Sequence, residues 1–156
     1  MELRDKIIVV TGGASGIGRE MCRRFAREGA KKVIVADLNG KGAASVAAEV
    51  GGFSMAVDVR KESEIVELID TTEAQFGPID LFCSNAGIGI GKNIDEPDEV
   101  WQTIWEVNTM AHVWAARHLV PLMIARGGGY LLNTSSAAGL LNQIGSVTYA
   151  VTKHAA

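Results

Sequence analysis

Residues 6–18 read KIIVVTGGASGIG, and this stretch decides the fold. Its first six letters are rich in β-branched residues, which is typical of a strand covered on both faces in a parallel sheet. A glycine-rich stretch follows at once, and apolar residues then recur at helical spacing from Ile17 onward. A strand, a glycine-rich turn and a helix in this order predict the first unit of an α/β fold.

The same alternation continues along the chain, because short apolar runs are separated by stretches long enough for crossover helices. The predicted strands are residues 6–11, 33–37, 53–59, 79–84 and 130–135. The predicted helices begin near Ile17, cover residues 40–50, 62–76 and about 97–126, and begin again near Ser146. We therefore predict one domain over residues 1–156, a doubly wound parallel sheet in three layers, α/β/α.

The last predicted helix has no capping residue and no following strand. A fifth strand left at the edge of a parallel sheet would expose apolar surface and unpaired backbone groups. We therefore expect residues 1–156 to be the N-terminal part of a longer chain. A short protein that covers this edge by forming an oligomer is the alternative.

The composition argues against several classes of protein and of partner. The chain has 156 residues, is 47% hydrophobic and 21% charged, and carries a formal net charge of −3. These values are ordinary for a globular domain and argue against nucleic acid or a membrane surface as the main partner. The cysteines and histidines lack the spacing of a metal site, so we expect no metal. The N-terminus does not read as a signal peptide, and no apolar run reaches the roughly 20 residues of a membrane span, so we expect a cytoplasmic protein.

The glycine turn lies where an open α/β sheet binds a nucleotide. The first N–H groups of a helix and the positive end of its dipole attract a phosphate. Glycine permits the tight turn and the close approach of backbone to a pyrophosphate. The spacing in residues 12–18 is G-x-x-x-G-x-G rather than the commoner G-x-G-x-x-G, so a merely tight turn is the alternative.

Asp37 ends the second predicted strand, about twenty residues after the glycine turn. A carboxylate at this position accepts hydrogen bonds from the ribose hydroxyls of an adenosine and repels a 2′-phosphate. Leu38 follows it, where NADP would favour a neutralising arginine or lysine. We therefore expect NAD as the cofactor rather than NADP, with an NADP-linked reductase as an alternative.

Three polar residues near the end of the chain suit proton transfer. Tyr149 and Lys153 are four residues apart on the last predicted helix, and Ser136 follows the fifth predicted strand. Hydride transfer to or from a carbonyl requires a proton to move on its oxygen, and a tyrosine can carry that proton. An ammonium about 4 Å away favours a phenolate by about 4 kcal/mol at an effective dielectric of about 20. The alternative is an ordinary pair on an amphipathic helix.

These motifs, in their order and spacing, resemble the short-chain dehydrogenase/reductase family across essentially the whole chain. The matching positions are residues 11–18, Asp37, Asp58-Val59, Asn85-Ala86-Gly87, Asn108, Ser135-Ser136 and residues 149–153. The resemblance, which is to the main branch of the family, implies a Rossmann-like fold. It also implies an NAD-dependent oxidoreductase acting on a secondary alcohol or ketone. A catalytically silent dinucleotide-binding domain, truncated or regulatory, remains the alternative.

The resemblance also implies a role for each matching residue. Cofactor-binding positions are Gly12, Ser15, Gly16, Ile17, Gly18, Asp37, Leu38, Asp58, Val59, Asn85, Ala86, Gly87, Tyr149 and Lys153. Catalytic positions are Asn108, Ser136, Tyr149 and Lys153. Tyr149 would be the general acid/base, and Lys153 would stabilise its phenolate and bind the nicotinamide ribose. Ser136 would orient the substrate oxygen, and Asn108 would hold a water that relays the proton.

Asn108 is expected to be buried. It falls on one face of the predicted long helix, together with Ile104, Ala111, Ala115 and Leu119. A buried amide needs hydrogen-bond partners. Either a functional water or a neighbouring segment of the chain would supply them.

The apolar residues after Ser136 indicate a hydrophobic alcohol or ketone as substrate. They are Ala137, Ala138, Leu140, Leu141 and Ile144. The family often pairs its subunits through the long helix and the next one. The resemblance therefore implies a homo-oligomer formed through residues 97–126 and the last helix.

Overall fold

Five strands form one parallel sheet in the order β3-β2-β1-β4-β5. The computed structural model describes residues 1–141 and 144–156. The strands are β1 Ile7–Thr11, β2 Lys32–Asp37, β3 Phe53–Ala56, β4 Leu81–Ser84 and β5 Tyr130–Asn133. The helices are α1 Gly16–Arg27, α2 Gly40–Val50, α3 Glu62–Phe76, α4 Asp98–Trp105, α5 Ala111–Ala125 and α6 Val147–Ala155. The predicted doubly wound fold is confirmed.

The sheet is buried on both faces by alternate side chains of its central strands. Ile8 and Val10 of β1 pack on the side of α1 and α2, whereas Ile7 and Val9 pack on the side of α3 and α5. Side chains of a strand alternate between faces, so a strand between two helix layers needs apolar residues at every position. This is the physical reason for the unbroken apolar run in β1.

The sheet reverses its direction of growth beside β1. The chain runs outward from β1 to β2 and β3, and then returns to the other side of β1 as β4. The connections after β1 and β4 therefore leave toward opposite faces of the sheet. This reversal opens a crevice at the carboxyl ends of β1 and β4, which is where doubly wound sheets bind ligands.

Two strands end earlier than the apolar pattern predicts. Val57 and Val59 follow β3 and are buried in the core beside α3, so their apolar character serves packing rather than strand pairing. At β5, the Thr134 N–H still bonds to the carbonyl of Ser84. Because β4 ends at Ser84, Ser135 has no strand to pair with.

The predicted helix over residues 97–126 contains a widened turn. Between α4 and α5 the backbone forms a π-helical turn, Glu106–Met110, and helical dihedral angles continue through both junctions. The predicted buried face is confirmed, because Ile104, Asn108, Ala111, Ala115 and Leu119 are all buried. Periodicity at 3.6 residues per turn does not reveal a single π turn, so the sequence did not predict it.

The outer face of α1 carries its own counter-ions. Arg23 pairs with Glu20 and Glu49, and Arg24 pairs with Glu28.

Within residues 1–141 and 144–156, no helix combines the length and the apolar character needed to cross a bilayer.

Candidate active site

A cleft of about 1220 Å³ opens at the carboxyl ends of the strands. Its walls include Ser136 and all fourteen positions that the resemblance implied for cofactor binding. Lining residues that the sequence analysis did not single out are Val57, Arg60, Ile88, Gly89, Thr103, Val107, Thr134 and Ser146. The topology thus brings residues from seven separate segments of the chain to one cavity. Asn108 lies behind the wall and is fully buried.

The glycine turn rests directly on the segment that follows β4. Gly12 and Gly16 have φ angles of 66° and 51°, in the left-handed region that glycine adopts without strain. A Cβ atom on Gly18 would overlap the carbonyl oxygen of Gly12 and lie 2.7 Å from Asn85 Nδ2. A Cβ atom on Gly12 would lie 2.8 Å from Ala86 Cα. The turn therefore needs glycine because other parts of the chain fill the space of a side chain.

Gly13 is a third requirement, which the sequence analysis did not name as a site residue. It is buried, and its N–H donates to the carbonyl of Ala36 over 3.1 Å. A Cβ atom on Gly13 would lie 2.7 Å from Val35 Cγ1. This glycine serves the packing of the turn on β2 rather than contact with a ligand.

The N-terminus of α1 offers hydrogen-bond donors to the cleft. Its first N–H groups have no acceptor within the helix and carry the positive end of the dipole. Ser15 is the N-cap, and within the described residues its side chain makes no capping hydrogen bond. The first turn of α1 has no acidic residue to compete for these donors. The donor set fits the pyrophosphate of a dinucleotide.

The carboxylate of Asp37 is fixed at the end of β2. Its Oδ2 accepts a hydrogen bond from the N–H of Ala14 at 3.0 Å, and its Oδ1 accepts one from the N–H of Asn39 at 2.9 Å. Each carboxylate oxygen can accept a second hydrogen bond, so capacity for ribose hydroxyls remains. Leu38 beside it is 70% exposed at the cleft. The link from Asp37 to the glycine turn is not visible in the sequence.

The carboxylate of Asp58 forms an ion pair with Arg60. Its Oδ2 lies 2.6 Å from Arg60 Nη2, and its Oδ1 accepts hydrogen bonds from Arg60 Nε at 2.9 Å and from the Arg60 N–H at 3.1 Å. The Arg60 guanidinium holds the pKa of this buried carboxyl below its usual range. The carboxylate is therefore partly satisfied by Arg60, and Arg60 itself forms part of the cleft wall.

Asn85 joins the carboxyl ends of three strands. Its Nδ2 donates to the carbonyl of Thr11 at 3.1 Å, and its Oδ1 accepts from Thr134 Oγ1 at 3.0 Å. Thr11 Oγ1 in turn accepts hydrogen bonds from the N–H groups of Asn85 and Ala86. These bonds fix the wall of the cleft between β1, β4 and β5. Sequence reasoning missed Thr134, because no motif includes it and its contact with Asn85 joins residues 49 positions apart.

Lys153 is buried beside Tyr149. Its Nζ donates to the carbonyl of Thr134 at 2.9 Å and lies 5.8 Å from the centroid of the Tyr149 ring. Burial lowers the pKa of the Lys153 ammonium, because charge is poorly solvated inside the protein. A Cβ atom on Gly87 would lie 3.6 Å from this Nζ. The ammonium thus sits between the phenol and the wall formed by residues 85–87.

Ser136 caps a short 3₁₀ turn, Ala137–Gly139, and faces the cleft. Its Oγ accepts a hydrogen bond from the N–H of Ala138 at 3.1 Å, which leaves the hydroxyl proton to be donated elsewhere. The apolar residues that follow Ser136 lie outside the lining of this cleft, and their role in binding a substrate stays a prediction. Among the described residues, the cleft lining includes none of Ala137, Ala138, Leu140, Leu141 and Ile144. Ala138 is buried, and the last three are exposed because no described part of the chain packs on them.

Asn108 is held entirely by protein groups. Its Oδ1 accepts from the N–H of Ile88 at 2.9 Å, and its Nδ2 donates to the carbonyl of Ile88 at 2.9 Å and to Thr152 Oγ1 at 3.1 Å. Both amide protons are therefore used without a water. Bonding to a neighbouring segment, which was the alternative reading, describes this side chain. The role of Asn108 in holding a relay water stays a prediction, since its Oδ1 can accept a second hydrogen bond.

A metal site would need several His, Cys, Asp or Glu side chains close together. Across the described part of the chain, no group of three or more His, Cys, Asp or Glu residues is arranged to hold a metal ion. The donors that line the cleft include backbone N–H groups, hydroxyls, the Arg60 guanidinium and the Lys153 ammonium. This set suits an anionic ligand.

Known proteins are similar to this chain in both sequence and fold. The family model described as short chain dehydrogenase matches residues 6–156. The 1-deoxy-11-beta-hydroxypentalenate dehydrogenase of Streptomyces exfoliatus is 38% identical, over 99% of this chain and 59% of that protein. A short chain dehydrogenase/reductase from Burkholderia phymatum, solved in complex with NAD, has a TM-score of 0.95 at 28% identity, over 99% of this chain and 57% of that one. A 7 alpha-hydroxysteroid dehydrogenase complexed with NADH and 7-oxo glycochenodeoxycholic acid has a TM-score of 0.91 at 32% identity, over 99% of this chain and 63% of that one.

The similarity extends over nearly the whole of this chain but over less than two thirds of these relatives. The matched region contains the glycine turn, the strand ends and α6, which together form the cleft. Sequence, topology and site therefore lead to the same conclusion. The chain belongs to the short-chain dehydrogenase/reductase family.

Proposed function

We propose that this protein transfers a hydride between NAD and a secondary alcohol or ketone, with Tyr149 as the general acid/base. One observation carries the proposal more than any other. The buried Lys153 ammonium lies 5.8 Å from the centre of the Tyr149 ring, in the same cleft as the free N-terminus of α1. A dinucleotide site and a proton-transfer pair in one cavity are what an oxidoreductase of this kind requires.

Two parts of the cleft, the start of α1 and the Asp37 carboxylate, determine which cofactor we expect. The N–H groups at the start of α1 would hold the pyrophosphate, and the Asp37 carboxylate would accept the hydroxyls of the adenosine ribose. A 2′-phosphate would meet the negative charge of Asp37, with the apolar Leu38 beside it. When bound, the nicotinamide would supply the acceptor or donor of the hydride. Two of the similar solved structures contain NAD or NADH, which agrees with this choice.

The chain's own residues would move the proton. In the oxidation direction the Tyr149 phenolate would take the O–H proton of the alcohol, while a bound nicotinamide would accept the hydride from the carbon that becomes the carbonyl. The Lys153 ammonium, 5.8 Å from the centroid of the ring, would stabilise that phenolate by charge attraction. The Ser136 hydroxyl donates a hydrogen bond to the substrate oxygen and holds it near Tyr149. Reduction of a ketone uses the same groups in reverse.

The test compares Y149F with the matched control Y130F in the full-length protein, because Tyr130 is exposed on β5. We expect Y149F still to bind NAD and to lose turnover by about 10²- to 10⁴-fold. Y130F should keep its turnover. Turnover is followed by NADH absorbance with a panel of secondary alcohols. Binding of NAD with no turnover in the unmodified protein would instead indicate a catalytically silent domain, and turnover unaffected in Y149F would exclude Tyr149 as the general acid/base.

The cofactor preference is tested at Asp37. We expect the unmodified protein to bind NAD at least about tenfold more tightly than NADP, because a carboxylate repels the 2′-phosphate. D37N removes the charge but keeps one oxygen for the N–H of Ala14. It should reduce the ratio of the Kd for NADP to the Kd for NAD. D70N, at an exposed position on α3, is the control and should leave the ratio unchanged. Equal affinities for the two cofactors in the unmodified protein would overturn the preference.

A homo-oligomer formed through residues 97–126 and α6 is also part of the proposal. Support comes from apolar side chains left exposed on these helices. They are Val113, Val120, Leu122 and Ile124 on α5 and Val151 on α6. Val113, Val120 and Ile124 are spaced to lie along one stripe of α5.

A further inference from the structure

The face of α6 behind the catalytic pair is built on two threonines. Thr148 and Thr152 are fully buried, and each precedes by one residue a member of the pair Tyr149 and Lys153. Successive residues of a helix are about 100° apart, so the threonine stripe faces the protein interior while its neighbours reach the cleft. Thr148 Oγ1 lies against the carbonyl oxygens of Ile90 and Gly91.

The hydroxyl of Thr152 both donates and accepts a hydrogen bond. Its Oγ1 donates to the carbonyl of Tyr149 at 3.0 Å and accepts from Asn108 Nδ2 at 3.1 Å. Its own carbonyl accepts from Thr109 Oγ1 at 3.3 Å. Asn108 also clamps both backbone groups of Ile88, which lines the cleft. One hydroxyl therefore connects α6, the π turn and the loop after β4.

The π turn explains how two consecutive residues reach the same threonine. Asn108 and Thr109 both lie within Glu106–Met110, and both are buried against α6. Asn108 contacts the side chain of Thr152, and Thr109 contacts its backbone. π turns inside α-helices recur at functional sites, and here the widened turn supplies both contacts to one residue.

We infer that Thr152 is a positioning residue, whose hydroxyl sets where α6 presents Tyr149 and Lys153 to the cleft. The inference rests on the proposed function of that pair. Without the hydroxyl, Asn108 Nδ2 loses one of its two acceptors and the Tyr149 carbonyl loses a donor. The ammonium and the phenol then shift relative to each other. The glycine turn and Asp37 lie on other elements and keep their geometry.

The experiment uses T152V, which removes the hydroxyl at nearly constant shape, and T152S, which retains it, in the full-length protein. We expect T152V to lower kcat about tenfold, the equivalent of one lost hydrogen bond, with the Kd for NAD changed by less than about twofold. The pH dependence of kcat should also change, because the Lys153 ammonium and the Tyr149 ring are displaced relative to each other. T152S should restore both quantities. T152C, with its weak S–H donor, should give intermediate values.

T72V is the matched control. Thr72 on α3 is also buried, and its hydroxyl donates to a carbonyl of its own helix, that of Leu68, at 2.7 Å. It does not belong to the cleft lining in the part of the chain that the structure describes. We expect T72V to leave kcat and its pH dependence unchanged.

Amide hydrogen exchange separates this inference from the proposed function. Exchange in residues 147–156 should accelerate in T152V and stay slow in T152S and T72V, whether or not the protein turns over an alcohol. Unchanged exchange, kcat and pH dependence in T152V would overturn the inference, as would failure of T152S to restore them. If T152V does not fold, the graded comparison of T152S with T152C decides in the same way. A protein that lacks turnover but shows the expected exchange pattern would contradict only the proposed function.

Discussion

Asn85 shows at the scale of single residues why the turn needs glycine. Its Nδ2 is held by the carbonyl of Thr11, 74 positions away in the chain. From there it lies 3.2 Å from the place of a Cβ atom on Gly12 and 2.7 Å from that of one on Gly18. Glycine at these positions therefore permits contact between two distant segments as well as contact with a ligand.

Gly18→Ala is expected to destabilise the protein and weaken NAD binding together. The added methyl would press on Gly12 and Asn85, and overpacking of this kind costs about 1–3 kcal/mol. Urea denaturation measures the loss, and calorimetric titration measures NAD binding. Gly51→Ala is the control, because Gly51 has a φ of 62° with open space around it in the described structure. It should cost about 1–2 kcal/mol of backbone strain and leave NAD binding unchanged. If Gly18→Ala weakens NAD binding no more than Gly51→Ala does, the contact of residue 18 with Gly12 and Asn85 does not matter for the cofactor.

His112 predicts a pH dependence of stability. It is buried at the start of α5, and among the described residues neither ring nitrogen has a hydrogen-bond partner. Burial, and next the nearby Lys153 ammonium, lower the pKa of His112 from 6.5 to about 4. The unfolded chain therefore binds one more proton than the native protein between these values. The stability that His112 contributes as a neutral group is complete above about pH 6.5 and is lost as the pH falls toward about 4.

His112→Leu should remove this dependence. At pH 5 the term amounts to about 2 kcal/mol of unfolding free energy. The difference in unfolding free energy between the unmodified protein and His112→Leu should therefore shift by about that amount between pH 7.5 and pH 5. Urea denaturation at the two pH values measures it. A constant difference would show that His112 titrates alike in both states.

At the scale of elements, side chains rather than backbone ladders join the strand ends around the cleft. Thr11, the last residue of β1, accepts from two backbone N–H groups of residues 85 and 86 and donates to the carbonyl of Cys83. Asn108 joins the π turn to the loop after β4 and to α6 in the same way. The elements that form the cleft are thus held by a few polar side chains at its base.

Thr11→Val should therefore cost more than an ordinary buried hydroxyl. It leaves the N–H groups of Asn85 and Ala86 without an acceptor, at about 1–3 kcal/mol for each unsatisfied group. Thr72→Val removes a hydroxyl that only donates within its own helix, and should cost about 1 kcal/mol or less. Urea denaturation of both variants measures the contrast. A loss in Thr11→Val no larger than that in Thr72→Val would contradict the importance of this junction.

At the scale of the whole molecule, the strand order decides where function can lie. The sheet grows in both directions from the boundary between β1 and β4, so the connections after these strands diverge and leave a crevice. The glycine turn reaches it from β1, Asp37 from β2, residues 85–87 from β4, and Tyr149 and Lys153 from α6. Residues scattered over most of the chain thus face one cavity.

The proposed homo-oligomer gives a prediction at this scale. Val120→Glu would place a carboxylate in the apolar stripe of α5, and an unpaired charge buried in such an interface costs several kcal/mol. We expect the full-length protein to sediment as an oligomer and Val120→Glu to sediment as a smaller species. Ile94→Glu changes an equally apolar, exposed residue in the loop before α4 and should leave sedimentation unchanged. An oligomer that persists in Val120→Glu would exclude an interface at this stripe.

The sequence by itself determined the order of strands and helices, the glycine turn and the positions that reach the carboxyl edge. These features depend on local periodicity and on short motifs, and parallel strands necessarily bring their carboxyl ends to one edge. Only the tertiary structure decided the partners: Thr134 for Asn85 and Lys153, Thr152 for Asn108, and Arg60 as a part of the wall beside Asp58. In the structure, Val57 and Val59 also lie in the core rather than in the predicted strand, and Leu140 is exposed. Most of these contacts join residues far apart in the chain, so they depend on strand order and on one π turn, which local patterns do not encode.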